Sequence, residues 1–294
     1  MKKAAFLICM LWFFSPVVLQ AAAPTQEIDS AYKASVMMQM KKHSDTLRNS
    51  FNQNKRFAAN DSFIKSLKLF LEFEDAFDIE FDSINTVAFI RSDDRKVRAI
   101  TWLVADNSGN YKSFGVIQSQ FQKNQTEYVW LKERVVTNKK ELENREYSDQ
   151  EWPGGLIYEI RKHKMKKHNS YIILSFHGLG PRTNRKILDI MYYDEESGWV
   201  FGMPVFMRKK KDMDPDYRVV FEYSDQASMT LRFDEKEPII VFDHLVSPMG
   251  NVVESPEFLV PDGTYGCYVI KRKGMFERLE DFGTYIKWDE AQND

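Results

Sequence analysis

Residues 217–245 read YRVVFEYSDQASMTLRFDEKEPIIVFDHL, and the alternation in this stretch decides the fold class. Tyr217, Val219, Phe221 and Tyr223 alternate with Arg218, Val220 and Glu222, and Met229, Leu231 and Phe233 alternate with Ser228, Thr230 and Arg232. Side chains along a strand point to opposite faces in turn, so a period of two marks strands with one apolar face. Aligning those faces sets Tyr223 across from Met229, Phe221 across from Leu231 and Val219 across from Phe233. The loop this register needs, Asp225-Gln226-Ala227, has a common hairpin length. Arg218 then stands opposite Asp234, and Glu222 diagonal to Arg232, a favourable charge pattern on an outer face. The stretch predicts an antiparallel hairpin.

Extending the register through Asp234–Pro238 puts Ile239, Val241 and Asp243 on the inner face, and Ile240, Phe242 and His244 on the other. Asp243 and His244 are adjacent at the end of an apolar run, which invites a catalytic reading. A carboxylate that orients a histidine must lie within hydrogen-bond reach of it, and strand neighbours diverge unless the chain bends. Pro248 ends the strand soon after. The pair is therefore expected to be structural, with Asp243 bonding backbone in the following turn and His244 half-buried. Asp243, His244, Arg182 and Asn184 are retained as candidate ligand-binding residues.

Outward from this stretch the same pattern recurs. Residues 85–118, 127–133, 155–163, 169–178, 184–202 and 266–279 are short runs rich in Val, Ile, Tyr and Phe, separated by turn residues. This predicts about a dozen strands from 84 to 285 without helical crossovers, hence an antiparallel meander. The spacing also resembles propeller blades, but no repeated fingerprint supports that alternative. Before the strands, 26–75 reads as two helices. Tyr32, Val36, Met40, Leu47 and Phe51 form one stripe; a second helix with Phe63, Leu67, Phe70 and Leu71 is expected to start at Asp61-Ser62. The stripe serves either as core or as a lid over an apolar groove.

At the N-terminus, Met1-Lys2-Lys3, an apolar run from Ala4 to Leu19 and Gln20-Ala21-Ala22-Ala23-Pro24 form a signal-peptide pattern cut near residue 21. Export leaves 39 basic against 43 acidic residues, a net of −4, unlike a dedicated nucleic-acid binder. It also leaves Cys267 as the lone cysteine, so a core rather than a disulfide must hold the fold. No later stretch is apolar enough to span a membrane.

Chemistry-bearing motifs are sparse. No HExxH helix, cysteine pairs, GxSxG elbow or phosphate loop occurs, so neither a metal nor a cofactor is expected. Glu222, Asp234 and Asp243 are the carboxylates from which a sugar-hydrolysing pair would be drawn. Three basic runs, 161–168, 208–211 and 271–273, lie near strand ends. Arg161, Lys162, Lys164, Lys166 and Lys167 form the candidate patch for an anionic glycan or lipid; lysine also guards sheet edges against aggregation.

The wording of five stretches, 221–245, TNRKILDI (183–190), FGMPVF (201–206), SDDRKVRAITW (92–102) and FGVIQ (114–118), resembles a family of exported β-rich proteins from Bacteroidota with no assigned activity. The resemblance runs from about Phe81 to Phe282 and implies export and a β-rich domain, but no catalytic residue. SFHGLG (175–180) and TYGCYV (264–269) depart from that pattern. The expected role is non-catalytic binding at the cell envelope, in one version as a carrier. A secreted glycan hydrolase and a scaffold subunit of an envelope complex are the alternatives.

Overall fold

A computed structural model describes residues 30–123, 125–165, 168–208, 214–250 and 255–283. The signal-peptide pattern lies outside the described residues. The described chain is mainly β, with three antiparallel sheets stacked face to face and two N-terminal helices against the first. Helices α1 (Ser30–Asn49) and α2 (Gln53–Leu71) precede sheet I, which holds β1 (Val87–Arg91), β2 (Val97–Ala105), β3 (Tyr111–Gln122) and β4 (Gln125–Leu131) in that order. A short helix, α3 (Lys139–Glu143), leads into sheet II. Its strands are β5 (Tyr147–Ser148), β6 (Leu156–His163), β7 (Asn169–Gly178), β8 (Thr183–Asp194) and β9 (Gly198–Phe201), ordered β5-β9-β8-β7-β6, with β10 (Arg218–Ser224) on β8. Sheet III is a meander of β11 (Leu231–Phe233), β12 (Ile239–Val246), β13 (Val260–Ile270) and β14 (Phe276–Leu279).

Alternation along each strand builds the layers. In β2, Ile100, Trp102 and Val104 pack with Val36, Met40, Phe63, Leu67 and Phe70 of the helices, while Val97 and Ala99 pack with Ile173, Ile187 and Val220 of sheet II. Sheet II turns Ile172, Leu174, Leu188 and Phe221 toward Leu231, Ile240, Phe242 and Phe276 of sheet III. Both faces of the middle sheet are covered, so its strands are apolar on both sides. Sheet I ends the stack at the helices, and the described sheets do not close into a propeller ring.

The α1 stripe sits on the core: Val36 is 2% and Met40 0% exposed. Phe51 does not belong to that stripe; it stands in the α1–α2 turn, 99% exposed. The second helix starts earlier than expected, because Asn52 Oδ1 accepts from Lys55 N and caps α2 at Gln53, leaving Asp61 and Ser62 mid-helix. A fully buried hydrogen bond ties α2 to sheet I, from Trp102 Nε1 to Asn60 Oδ1 at 2.8 Å. Asn60→Ala strands that indole donor, and urea unfolding is expected to register a loss of about 1–3 kcal/mol. An unchanged midpoint would show that the bond contributes nothing.

The predicted hairpin does not form. β10 pairs with β8, and β11 pairs with β12, so the two runs lie in different sheets. Phe221 and Leu231 do share a core cluster, but by stacking across two layers. Arg218 and Glu222 turn inward on the face of Val220. Ladder pairing sets them opposite Asp189 and Arg185 of β8 rather than Asp234 and Arg232. Arg218 Nε donates to Asp189 Oδ2 at 2.7 Å, and Arg185 Nε to Glu222 Oε1 at 3.0 Å.

These two arginines also hold the irregular segment that precedes sheet II. Arg218 donates to the carbonyls of Leu142, Arg145 and Phe201, and Arg185 to those of Val136 and Thr137. Buried carbonyls need partners, and here guanidinium forks supply them. Close by, His177 sits at 7% exposure with Nε2 3.1 Å from Ser175 Oγ. Burial first, then the charges of Arg185 and Arg218, pushes its pKa down to about 3. His177 is a neutral core group.

Candidate functional site

Between the edge of β10 that faces away from β8 and sheet III runs a cleft of about 280 Å³. Five elements build it. α3 brings Lys139 and Glu143, β10 brings Val219, Phe221 and Glu222, β12 brings Asp243 and His244, and β13 with β14 bring Tyr268 and Arg278. Phe206, Phe221 and Tyr268 are buried beneath and give it an apolar floor.

Asp243 and His244 both line this cleft. The ladder between β12 and β13 shifts register between Asp243 and Leu245, so the chain does bend there. The two side chains nevertheless take separate partners. Asp243 is 5% exposed and its Oδ2 accepts from Thr230 N at 2.6 Å, so it bonds backbone before β11 rather than in the following turn. His244 is half-buried; its Nδ1 lies 2.9 Å from Thr264 Oγ1 and its Nε2 3.4 Å from Glu280 Oε2. Thr264 Oγ1 donates in turn to Asp262 Oδ1 at 2.7 Å. Neither member of the pair orients the other.

Among the described residues, each remaining charge of the cleft has its own counter-ion. Glu222 is held by Arg185, Asp216 accepts from Arg208 Nε at 2.8 Å, and Arg278 Nη2 donates to Glu280 Oε2 at 3.1 Å. Lys139 Nζ stands 3.9 Å from Glu143 Oε1. Burial raises the Glu143 carboxyl above the ordinary range; Lys139 and the Val220 N–H pull it back, and Asp216 adds to the rise. Lys186, pushed down by burial, faces the charge of Asp243. Arg218, neutralised by Asp189, closes the far end.

The other candidates fall elsewhere. Arg182 is exposed in the β7–β8 turn, where its carbonyl accepts from Asp225 N at 3.0 Å, and Asn184 sits in β8 between Gly178 and Tyr223. Neither lines the cleft. Of the basic patch, Arg161 is bound to Glu159 at 3.0 Å and stacks on Phe233, while Lys162 Nζ donates to Asn169 Oδ1 at 3.1 Å. Lys164 is exposed, and Lys166 and Lys167 lie outside the described residues. The turn carrying Lys164 does meet the one carrying Lys273, because His163 Nε2 stands 3.1 Å from Gly274 O. Asp234, the third hydrolase carboxylate, caps its own turn by accepting from Lys236 N and Glu237 N.

Glu143, Lys139 and Arg278 escaped the sequence reading. Asn138 carried the only local signal, since its Oδ1 accepts from Lys140 N and Glu141 N as an N-cap. Among the described residues no group of three or more His, Cys, Asp or Glu is placed to hold a metal ion, and no helix is long and apolar enough to cross a membrane. No family model, curated protein or solved structure matches the chain.

Proposed function

We propose that the chain is an exported, envelope-associated binding protein that carries out no chemistry of its own and takes its ligand in the cleft between β10 and sheet III. One observation carries this reading: among the described residues every carboxylate lining the cleft is already engaged by a cation or a backbone N–H. A general base or nucleophile must be free to take a proton or attack, whereas a binding site gains from groups fixed in advance. Export rests on the pattern of residues 1–24 and on the likeness to exported Bacteroidota proteins.

A glycan hydrolase is the second reading, favoured by Glu143, whose raised carboxyl on a cleft wall suits a general acid. Native mass spectrometry of the protein purified from its own cell envelope separates the two. A discrete mass above the polypeptide is expected. A bare polypeptide that cleaves glycan, with cleavage lost in Glu143→Gln, would replace binding with hydrolysis.

A further inference from the structure

We infer that the cleft between β10 and sheet III recognises a neutral, hydroxyl-rich ligand, a saccharide of one or two rings; this rests on the binding reading above. Charge balance is the first argument. Glu222 is matched by Arg185, Asp216 by Arg208, Glu143 by Lys139 and Arg278 by Glu280, while Asp243 faces Lys186. Among the described residues the charges of the cleft are compensated internally, so those residues offer little net attraction to a cation or an anion.

Hydrogen bonding supplies the second. Asp243 anchors itself through Oδ2, which leaves Oδ1 as an acceptor at a fixed position on the cleft wall. Arg278 and Lys139 add donors on the opposite walls. A ligand that donates and accepts at closely spaced points meets this pattern, and the hydroxyls of a sugar ring do both. Phe206, Phe221 and Tyr268 beneath them present carbon to the apolar face of such a ring.

Size agrees. About 280 Å³ falls just below the range of roughly 300–1,000 Å³ that takes drug-sized ligands, which limits the occupant to a small sugar unit or the end of a longer chain.

The test is calorimetric titration with cellobiose, maltose and diacetylchitobiose, and in parallel with glucosamine and galacturonate, alongside native mass spectrometry of the envelope-purified protein. A neutral disaccharide is expected to bind more tightly than either charged sugar. In Asp243→Asn, the new Oδ1 keeps the Thr230 N–H bond while an NH2 replaces the free acceptor, and affinity is expected to fall by about tenfold or more. Glu143→Gln, an isosteric change at a half-buried position of α3, is the second variant should Asp243→Asn not fold, and is expected to weaken binding in the same direction by unbalancing Lys139. Tighter binding of a charged sugar, or a co-purified mass that is not carbohydrate, overturns the ligand class and leaves the binding reading standing. A bare protein that binds none of the probes overturns both.

Discussion

Arg218→Met is expected to destabilise the protein by about 3–5 kcal/mol at pH 8, the cost of removing one partner from a buried ion pair. Methionine fills much of the same space, so the loss is electrostatic rather than a cavity. Arg218 is 0% exposed, and its removal strands the Asp189 carboxylate together with the carbonyls of Leu142, Arg145 and Phe201. The loss also has a pH signature. Burial already raises the Asp189 carboxyl above its ordinary range, and Arg218 is the main group pulling it back. Without the guanidinium the folded pKa climbs further above the unfolded value of about 3.9. An acid raised in this way supports folding below the unfolded pKa and withdraws that support as pH climbs toward the folded one. The gap between wild type and Arg218→Met should therefore widen from pH 5 to pH 8 in denaturant melts. Adding Asp189→Asn should remove the widening. A gap below 1 kcal/mol, or one flat with pH, would mean that the pair is not structurally required.

That ion pair also shows what an alternating pattern can and cannot specify. Period two in residues 217–233 states which side chains share a core, and Phe221, Tyr223, Leu231 and Phe233 do share one. It does not state whether the two strands lie side by side or in stacked sheets, because apolar faces are satisfied either way. Charge did not break the tie either. Arg218 and Glu222 find complementary partners in the local hairpin register as well as on β8, some thirty residues earlier in sequence. Both faces of β10 are covered, and only that non-local layer turns the supposed outer face inward. Helix and strand content was readable because it depends on local periodicity, as Val36 and Met40 in α1 illustrate. The start of α2 was misplaced because Asp61-Ser62 and Asn52 are both good caps, and tertiary contact of Arg56 with the 105–107 turn selects the earlier one. For the cleft, Asp243 and His244 stood out because they are adjacent and polar after an apolar run. Glu143 and Arg278 are far from them in sequence: the β12-β13-β14 meander brings Arg278 beside them, and the packing of α3 and β10 on sheet III brings Glu143.

Gly155→Ala is expected to cost about 2–6 kcal/mol, from two independent sources. Gly155 has φ +102°, where a Cβ is strained, at about 1–3 kcal/mol. Its backbone is pinned in that conformation by the bond from its N–H to Ser113 Oγ at 2.9 Å. A methyl there would also stand 2.3 Å from His177 Nε2 and 2.6 Å from Cε1, and overpacking of this kind adds about 1–3 kcal/mol. The imidazole cannot swing away without losing its contact with Ser175 Oγ and pressing into the neighbouring layer. Gly263→Ala separates the two terms. Its φ is +85° and nothing lies within 4 Å of its Cβ, so it should cost the strain alone. A double-mutant cycle isolates the clash: in a His177→Ala background, Gly155→Ala should lose about 1–3 kcal/mol of its effect. Strict additivity of Gly155→Ala and His177→Ala would show that the imidazole does not constrain the glycine, leaving backbone strain as its whole cost. The coupling expected instead makes Gly155, His177 and Ser113 one packed unit, a point where β3 of sheet I is fastened to the strands of sheet II.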